Sequence, residues 1–469
     1  MHELHTHCST RTADFKRMPK MKQSSTKMLI LGAGVTGLAA GWVSGLPVYE
    51  AEEAPGGICS SYYLRPGNKT RLHSPPDDGE AYRFEVGGGH WIFGGDALIL
   101  QFIESLTPLK SYDRRSSVYF PDRGMFVPYP LQNNLKYLDP EIIEKALREM
   151  AGAAHNHRAQ TMAEWLEANF GRTLYDLFFG PFHELYTAGL WKSIAPQDAY
   201  KSPVNLSLAI EGAFNHSRPV GYNTRFVYPA EGLNALTQRI ASRSDIRYGK
   251  RVAQIDARRR EVFFADGSGA RYEQLLSTLP LNRMMDLTGL SVEAASGPSP
   301  SVLVINLGAH RGPTCPEDHW VYVPHSNCGF HRVGFYSNVD ASFLPASARK
   351  ARERVSIYVE KAFAEGQRPS SSEVSELSQH VVEQLQQWGW IAEVETIDPT
   401  WIDVAYTWSR PGSNWKQLAL QTLEKQGIYP VGRYARWVFQ GIADSIRDGL
   451  LAGAAASNAA YREITVSAS

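Results

Sequence analysis

The stretch Met28-Leu29-Ile30-Leu31-Gly32-Ala33-Gly34-Val35-Thr36-Gly37 constrains the fold of this chain more than any other. Four consecutive apolar residues read as a buried strand, and Gly32, Gly34 and Gly37 follow in the spacing that turns a strand tightly into a helix. The first glycine permits the turn, the second lets the backbone approach a diphosphate, and the third lets helix and strand pack closely. Unpaired N–H groups and the helix dipole favour an anion at that point. The helix is expected over Val35 to Val43, followed by a short strand, Pro47 to Tyr49, that ends at Glu50. A carboxylate there is placed to accept the two hydroxyls of an adenosine ribose.

The residues after Glu50 select the dinucleotide. A paired glycine, Gly56-Gly57, and the further Gly41 continue the pattern as in FAD proteins of the glutathione reductase and amine oxidase type, rather than as in NAD dehydrogenases. FAD is therefore the expected cofactor, in a Rossmann-like α/β domain. Downstream, Gly87-Gly88-Gly89-His90 brings glycine backbone close to something flat or bulky, and the flavin ring is the expected neighbour.

A chain of 469 residues exceeds a single small core, so two lobes are expected. The FAD-binding domain is assigned to residues 27–96, 222–290 and 425–469, a mainly helical substrate-domain insertion to 97–221, and a second, antiparallel or mixed sheet forming the substrate cleft to 291–424. Helices are read at Ala97 to Leu106, Pro140 to Ala154 and Thr161 to Phe170, and an aromatic, apolar helix at Leu174 to Tyr186 that is either deeply buried or lines the cleft. Strands are read at Ser60 to Leu64, Tyr82 to Val86, Ala270 to Leu276, Ser301 to Leu307, Trp320 to Pro324, Phe330 to Ser337, Val355 to Glu360 and Thr400 to Tyr406. A last helix is read at Asp444 to Ala455, its N-terminus toward the flavin.

Lys plus Arg equals Asp plus Glu, 48 each, so net charge gives no argument for nucleic acid or an anionic membrane surface. Cys8, Cys59, Cys315 and Cys328 are widely spaced without C-x-x-C, which argues against a disulfide framework or a zinc site and for a reducing, cytoplasmic setting. Residues 1–26, with His2, His5, His7 and Cys8, read as a disordered leader rather than a metal site, and they lack the apolar core of a secretory signal. No run approaches the roughly twenty apolar residues that cross a bilayer.

Six motifs in order, Gly32-x-Gly34-x-x-Gly37, Gly88-Gly89-His90, Val127-Pro128-Tyr129-Pro130-x-Gln132-Asn133-Asn134, Trp320-Val321-Tyr322, Cys328-Gly329-Phe330-His331-Arg332 and Gly432-Arg433, resemble UDP-galactopyranose mutases, nearer the eukaryotic type. The resemblance implies a non-redox pyranose–furanose isomerisation of a nucleotide sugar that requires reduced FAD, whose N5 forms a glycosyl adduct while the diphosphate leaves. It places His90 at the flavin, Arg332 and Arg433 on the diphosphate, and Trp320 and Tyr322 at the sugar and diphosphate. It puts Tyr129 and Gln132 at the nucleobase, and Asp444 or its neighbours at the helix start under the flavin. His183 and Lys201 stand at further substrate positions. NAD(P)H, with no second glycine motif of its own, would reduce the flavin from the substrate cleft.

The chain departs from the mutase pattern at Trp437-Val438-Phe439 and Phe182-His183, where phenols or amides are expected, at Tyr200-Lys201, where an arginine is expected, and at Trp415-Lys416. Two other readings stand beside the mutase. One is an FAD-dependent oxidoreductase of the amine oxidase or protoporphyrinogen oxidase kind, which shares the first ninety residues of the pattern and Ser277-Thr278-Leu279-Pro280; the other is a non-catalytic flavin fold. Base, sugar and oligomeric state are left open.

Overall fold

The computed structural model describes residues 24–25, 27–153, 159–196, 204–215, 221 and 223–467. The leader's His2, His5, His7 and Cys8, and the substrate candidate Lys201, lie outside the described residues.

Met28–Leu31 is the middle strand of a five-stranded parallel sheet, flanked by Val48–Tyr49 and Ile246–Arg247 on one side and by Gln274–Ser277 and Ile428–Pro430 on the other. Leu29, Ile30 and Leu31 are fully buried because both faces of this sheet are covered, which is why the strand reads as a continuous apolar run. One cover is the helix Val35–Ser44, packed in turn against the long C-terminal helix Ile442–Ser467. Their approach depends on missing side chains: a Cβ on Gly449 would lie 2.2 Å from the Thr36 carbonyl, and one on Gly453 2.5 Å from that of Ala40.

The second large sheet has seven strands in the order Ile391–Ile402, Ser301–Arg311, Arg354–Phe363, Arg332–Phe335, Trp320–Tyr322, Ser116–Phe120 and Met125–Pro128. It is antiparallel except where Trp320–Tyr322 runs parallel to Ser116–Phe120, a mixed sheet as expected. Three strands between 97 and 221 correct the picture of that region. Ser116–Phe120 and Met125–Pro128 extend this sheet, and Leu109–Asp113 joins Arg225–Pro229 and Ile92–Phe93 in a three-stranded one. Helices Pro140–Gly152, Met162–Leu174, Gly180–Tyr186 and Leu206–Phe214 make up most of the rest.

Other expected elements shift for local reasons. Ala270 to Leu276 is two strands, Gly269–Arg271 in a small mixed sheet and Gln274–Ser277 in the parallel one. The chain crosses between them where Tyr272 N–H bonds the Arg260 carbonyl and Gln274 N–H bonds that of Lys27. The apolar segment ahead of Tyr186 opens with a wide helical turn, Tyr175–Phe179, before Gly180–Tyr186. The strand expected at Thr400 to Tyr406 lies earlier, at Ile391–Ile402, on the sheet edge, where Pro399 is tolerated and charged residues hide the alternation. Helix Ser371–Gln387, absent from the sequence reading, carries a full capping box between Ser370 and Glu373. Among the described residues no helix is long and apolar enough to cross a membrane, and Cys59, Cys315 and Cys328 are unpaired.

Candidate functional site

A cavity of about 430 Å³ runs from the glycine turn to the helical layer and brings together residues far apart in the chain. At one end it is lined by Gly32, Gly34, Gly56 and Gly57, with Thr278, Leu279 and Pro280 from the end of the neighbouring strand. Gly34 caps helix Val35–Ser44 without a side-chain hydrogen bond, and a Cβ built on it would find nothing within 4 Å. The free amides of the first helical turn therefore face open space of the kind a phosphate fills. Gly37 has the other role expected of it: a Cβ there would lie 1.9 Å from the Gly32 carbonyl.

Glu50 is buried behind this turn and does not reach the cavity wall. Its Oε2 accepts from Ala33 N–H at 2.6 Å and its Oε1 from Glu52 N–H at 2.9 Å, so the carboxylate ties the second strand to the glycine turn. Burial raises its pKa, and the amide hydrogen bonds oppose that rise.

Midway along the cavity lie Gly89, His90, Arg332, Glu360, Arg433 and Cys59. The glycines before His90 make room for protein as well as lining the cavity at Gly87 and Gly89. A Cβ on Gly89 would lie 2.1 Å from the Tyr358 hydroxyl and one on Gly88 2.7 Å from Glu360 Oε1, so their flat and charged neighbours come from the large sheet. Gly88 itself does not line the cavity. His90 Nδ1 lies 3.4 Å from the Gly88 carbonyl, and burial, reinforced by the Arg433 charge, pushes the ring's pKa down to about 4. His90 is a neutral imidazole at physiological pH.

The two arginines differ. Arg332 Nε donates to Glu360 Oε2 at 3.0 Å and its Nη2 to Oε1 at 2.6 Å, a two-point pair in which the Glu360 side chain is 2% exposed and that of Arg332 23%. The guanidinium holds the Glu360 carboxyl down at about 2 against its own desolvation. His331, buried beside them, has Nε2 3.5 Å from Glu360 Oε2 and its pKa lowered by burial. Arg433 forms no ion pair among the described residues. Its Nη1 donates to the Gln440 carbonyl at 3.0 Å, its guanidinium lies over Phe439 at 4.8 Å, and its buried Nε has no hydrogen-bond partner.

Beyond the arginines the wall is aromatic. Phe178, Phe182 and Tyr186 are four residues apart and stack on one helical face, with centroids 5.3 and 5.5 Å apart. Tyr322 meets Phe182 edge-on at 5.3 Å, and Tyr406 meets Tyr186 at 4.8 Å. Tyr129 packs on Tyr322 at 4.8 Å, and His183, whose Nδ1 donates to the Phe179 carbonyl at 2.6 Å, completes this side.

Besides Glu50 and Gly88, three more residues expected at the substrate or cofactor lie behind the wall. Trp320 is 2% exposed and meets Phe93, itself a wall residue, at 6.3 Å. Gln132 is 1% exposed, because helix Leu206–Phe214 covers its loop where Gly212 has no side chain to strike Asn133. Asp444 turns to Arg447 Nη2 at 3.3 Å, while its neighbours Gly441, Ile442 and Ser445 reach the cavity. Trp437 and Trp415, two of the departures from the mutase pattern, pack on each other at 5.3 Å in the core, whereas Phe439 faces the cavity.

Glu360, His331 and Tyr406 escaped the sequence reading as site residues, and Tyr186 entered it only as the end of a helix that is buried or lines the cleft. Glu360 left a signal, as a lone acid in the buried run Val355 to Phe363. Tyr406 left none, being indistinguishable from core.

Residues 39–456 match the family described as flavin containing amine oxidoreductase. Among solved structures, a reduced UDP-galactopyranose mutase is similar at 20% identity and TM-score 0.75, over 91% of this chain and 94% of that one. A protein assigned as a protoporphyrinogen oxidase, from Exiguobacterium sp. 255-15, is similar at 16% identity and TM-score 0.65, over 93% and 99%. Putrescine oxidase bound to putrescine is similar at 14% identity and TM-score 0.54, over 92% and 99%. At such identities these likenesses describe the fold. The glycine turn and the open helix N-terminus fit FAD, the cofactor of this fold family.

Proposed function

The chain belongs to the flavin containing amine oxidoreductases, and from that premise we propose that it is a reduced-FAD-dependent mutase, which interconverts ring forms of a sugar carried on an anionic leaving group such as that of a nucleotide sugar or glycosyl diphosphate. The observation that carries this reading is Arg433, a half-buried residue whose guanidinium Nε is fully buried and which has no acidic partner among the described residues, on the same wall as His90 and Tyr322. A buried cation is stabilised by an anion, and an anionic leaving group beside it would be bound and held close for return.

Reduced flavin supplies an electron-rich nucleophile. The chain's own residues would do the rest. The amides after Gly34, with Glu50 behind them, would hold the dinucleotide. Arg433 would take charge developing on the leaving oxygen, a term that grows in the transition state and therefore accelerates the step. His90, neutral at its lowered pKa, adds no competing positive charge. The wall of Phe178, Phe182 and Tyr186 would exclude water, which strengthens the Arg433 interaction and protects an opened sugar from hydrolysis. NAD(P)H would reach the flavin through the same cavity, and a cytoplasmic setting belongs to this reading.

One observation favours a second reading, an FAD-dependent oxidoreductase: the Arg332–Glu360 pair cancels one of the two charges expected for a diphosphate. An anaerobic panel of nucleotide sugars separates the two. The mutase reading expects an isomer with reduced and none with oxidised enzyme; stoichiometric peroxide with no isomer, from aerobic turnover, decides for the oxidoreductase.

A further inference from the structure

Among the described residues the charged side chains that line the cavity are Arg332, Arg433 and Glu360, and two guanidiniums with one carboxylate leave a single net positive charge. A diphosphate linked at both ends carries two negative charges, so one cation is wanting. His331 stands where that cation would act. It is 1% exposed, lines the cavity, and neither of its ring nitrogens is hydrogen-bonded among the described residues. Its Nε2 lies 3.5 Å from Glu360 Oε2, on the carboxylate that Arg332 holds through Nε and Nη2. Arg332 keeps its Nη1 outside that pair and 23% of its side chain exposed, so it can receive a phosphate oxygen while still paired.

An anion brought to Arg332 puts two negative groups on one guanidinium, and in a water-poor site their field raises the proton affinity of a base beside them. Glu360 and Arg332 are the charges that act on His331. Around it the facing helix carries His183 and Tyr186, the neighbouring strands carry Tyr322 and Tyr358, and Tyr406 lies against Tyr186. Lys361 turns away, its Nζ donating to the Cys328 carbonyl at 2.6 Å. Burial lowers the His331 pKa against the pull of Glu360, so without an added anion the imidazole is neutral near pH 7.

We propose that His331 supplies the second positive charge of a diphosphate site, by taking up one proton from solvent when the substrate binds. This rests on the reading of the cavity as a site for a nucleotide sugar or glycosyl diphosphate. The proton adds to the imidazole nitrogen that carries none. Glu360 then divides its charge between His331 and Arg332, and the wall carries two net positive charges for the two on the diphosphate. The ring of Tyr186, its centroid 5.4 Å from that of His331, lies within the range over which an aromatic ring attracts a cation. With that proton in place the Arg332–Glu360 pair no longer counts against a diphosphate.

The test is calorimetric titration of the FAD-loaded, oxidised protein with UDP-galactose, GDP-mannose and ADP-glucose. Their diphosphates are linked at both ends and do not titrate near neutrality, so a proton taken up on binding belongs to the protein. Titrations in two buffers of different ionisation enthalpy at about pH 7 should show uptake of about 0.5–1 proton per site. A pKa raised by binding favours the complex at low pH and loses that advantage as pH rises, so affinity should fall about three- to tenfold from about pH 7 to pH 8. His331→Gln should abolish both the uptake and the pH dependence, and His331→Asn serves where the first variant does not load FAD. Binding to wild type without proton uptake, or uptake that survives in either variant, overturns the role of His331 and leaves the diphosphate reading standing. No binding of any of the three nucleotide sugars removes that reading and the proposal with it.

Discussion

Arg332 and Glu360 face each other across two antiparallel strands of the seven-stranded sheet, and the two-point pair they make is the only contact between opposite charges on the cavity wall among the described residues. Cross-strand placement holds both side chains in register without loop ordering. The charge at this place in the fold therefore depends on one residue in each of two strands, 28 positions apart.

Removing one partner strands the other. Arg332→Ala is expected to lower stability by about 3–5 kcal/mol at neutral pH, because a buried carboxylate loses its counter-charge. The pH dependence has a definite sign. The folded Glu360 carboxyl titrates at about 2, below its ordinary 4.5, so the wild-type pair contributes fully above 4.5 and loses its contribution as pH falls toward 2. Without Arg332, burial raises that pKa instead, and the variant recovers relative to wild type as acid neutralises the group. Urea unfolding at several pH values checks both, and a gap that widens in acid would contradict the account.

Gly34 and Gly37 should fail in different ways. At Gly37 a methyl would lie 1.9 Å from the Gly32 carbonyl, so Gly37→Ala should destabilise the protein even without cofactor. At Gly34 the space is open and φ is −65°, so Gly34→Ala should leave the thermal midpoint of the apo-protein nearly unchanged and weaken FAD binding. Thermal unfolding of the apo-protein and flavin fluorescence titration separate the two effects.

Glu85 offers a test away from the site. It is fully buried, its Oε1 accepts from Ser61 and Tyr228 hydroxyls, and desolvation pushes its pKa up to about 7. A carboxyl with a raised folded pKa costs stability as the pH climbs from 4.5 to about 7, since the unfolded chain ionises first. Glu85→Gln keeps an acceptor for both hydroxyls and should flatten that part of the stability profile. A profile identical to wild type would show that the network compensates the charge.

Arg433→Ala should lower kcat on the true substrate by about 10²–10³-fold, the usual cost of losing a preorganised donor to developing charge. The flavin absorbance should be kept, and Phe439, freed of the guanidinium above it, gives a local structural control. Steady-state rates together with the visible spectrum check this, and a near-wild-type kcat would take Arg433 out of the reaction.

The nucleotide-binding half of the protein was legible because its chemistry is local. Gly32, Gly34 and Gly37 act through backbone geometry within one turn, and an apolar strand before them and an acid after them can be read in order along the chain. His90, Tyr129, His183, Tyr322, Arg332 and Arg433, legible through their resemblance to a family pattern, do reach one cavity. Trp320 and Gln132 carried the same motifs yet lie behind the wall, since packing against Phe93 and under the helix at Gly212 decides which face of a motif is presented.

The strand–turn–helix that receives a dinucleotide, and the stock of charged and aromatic residues available for a site, depend on spacing and side-chain type and are readable along the chain. That Glu360 neutralises Arg332 while no acid among the described residues pairs with Arg433, and that the glycines before His90 make room for Tyr358, emerges on folding. These follow from the pairing of distant strands. Strand register sets which charges lie opposite each other, and a buried charge behaves according to its nearest partner.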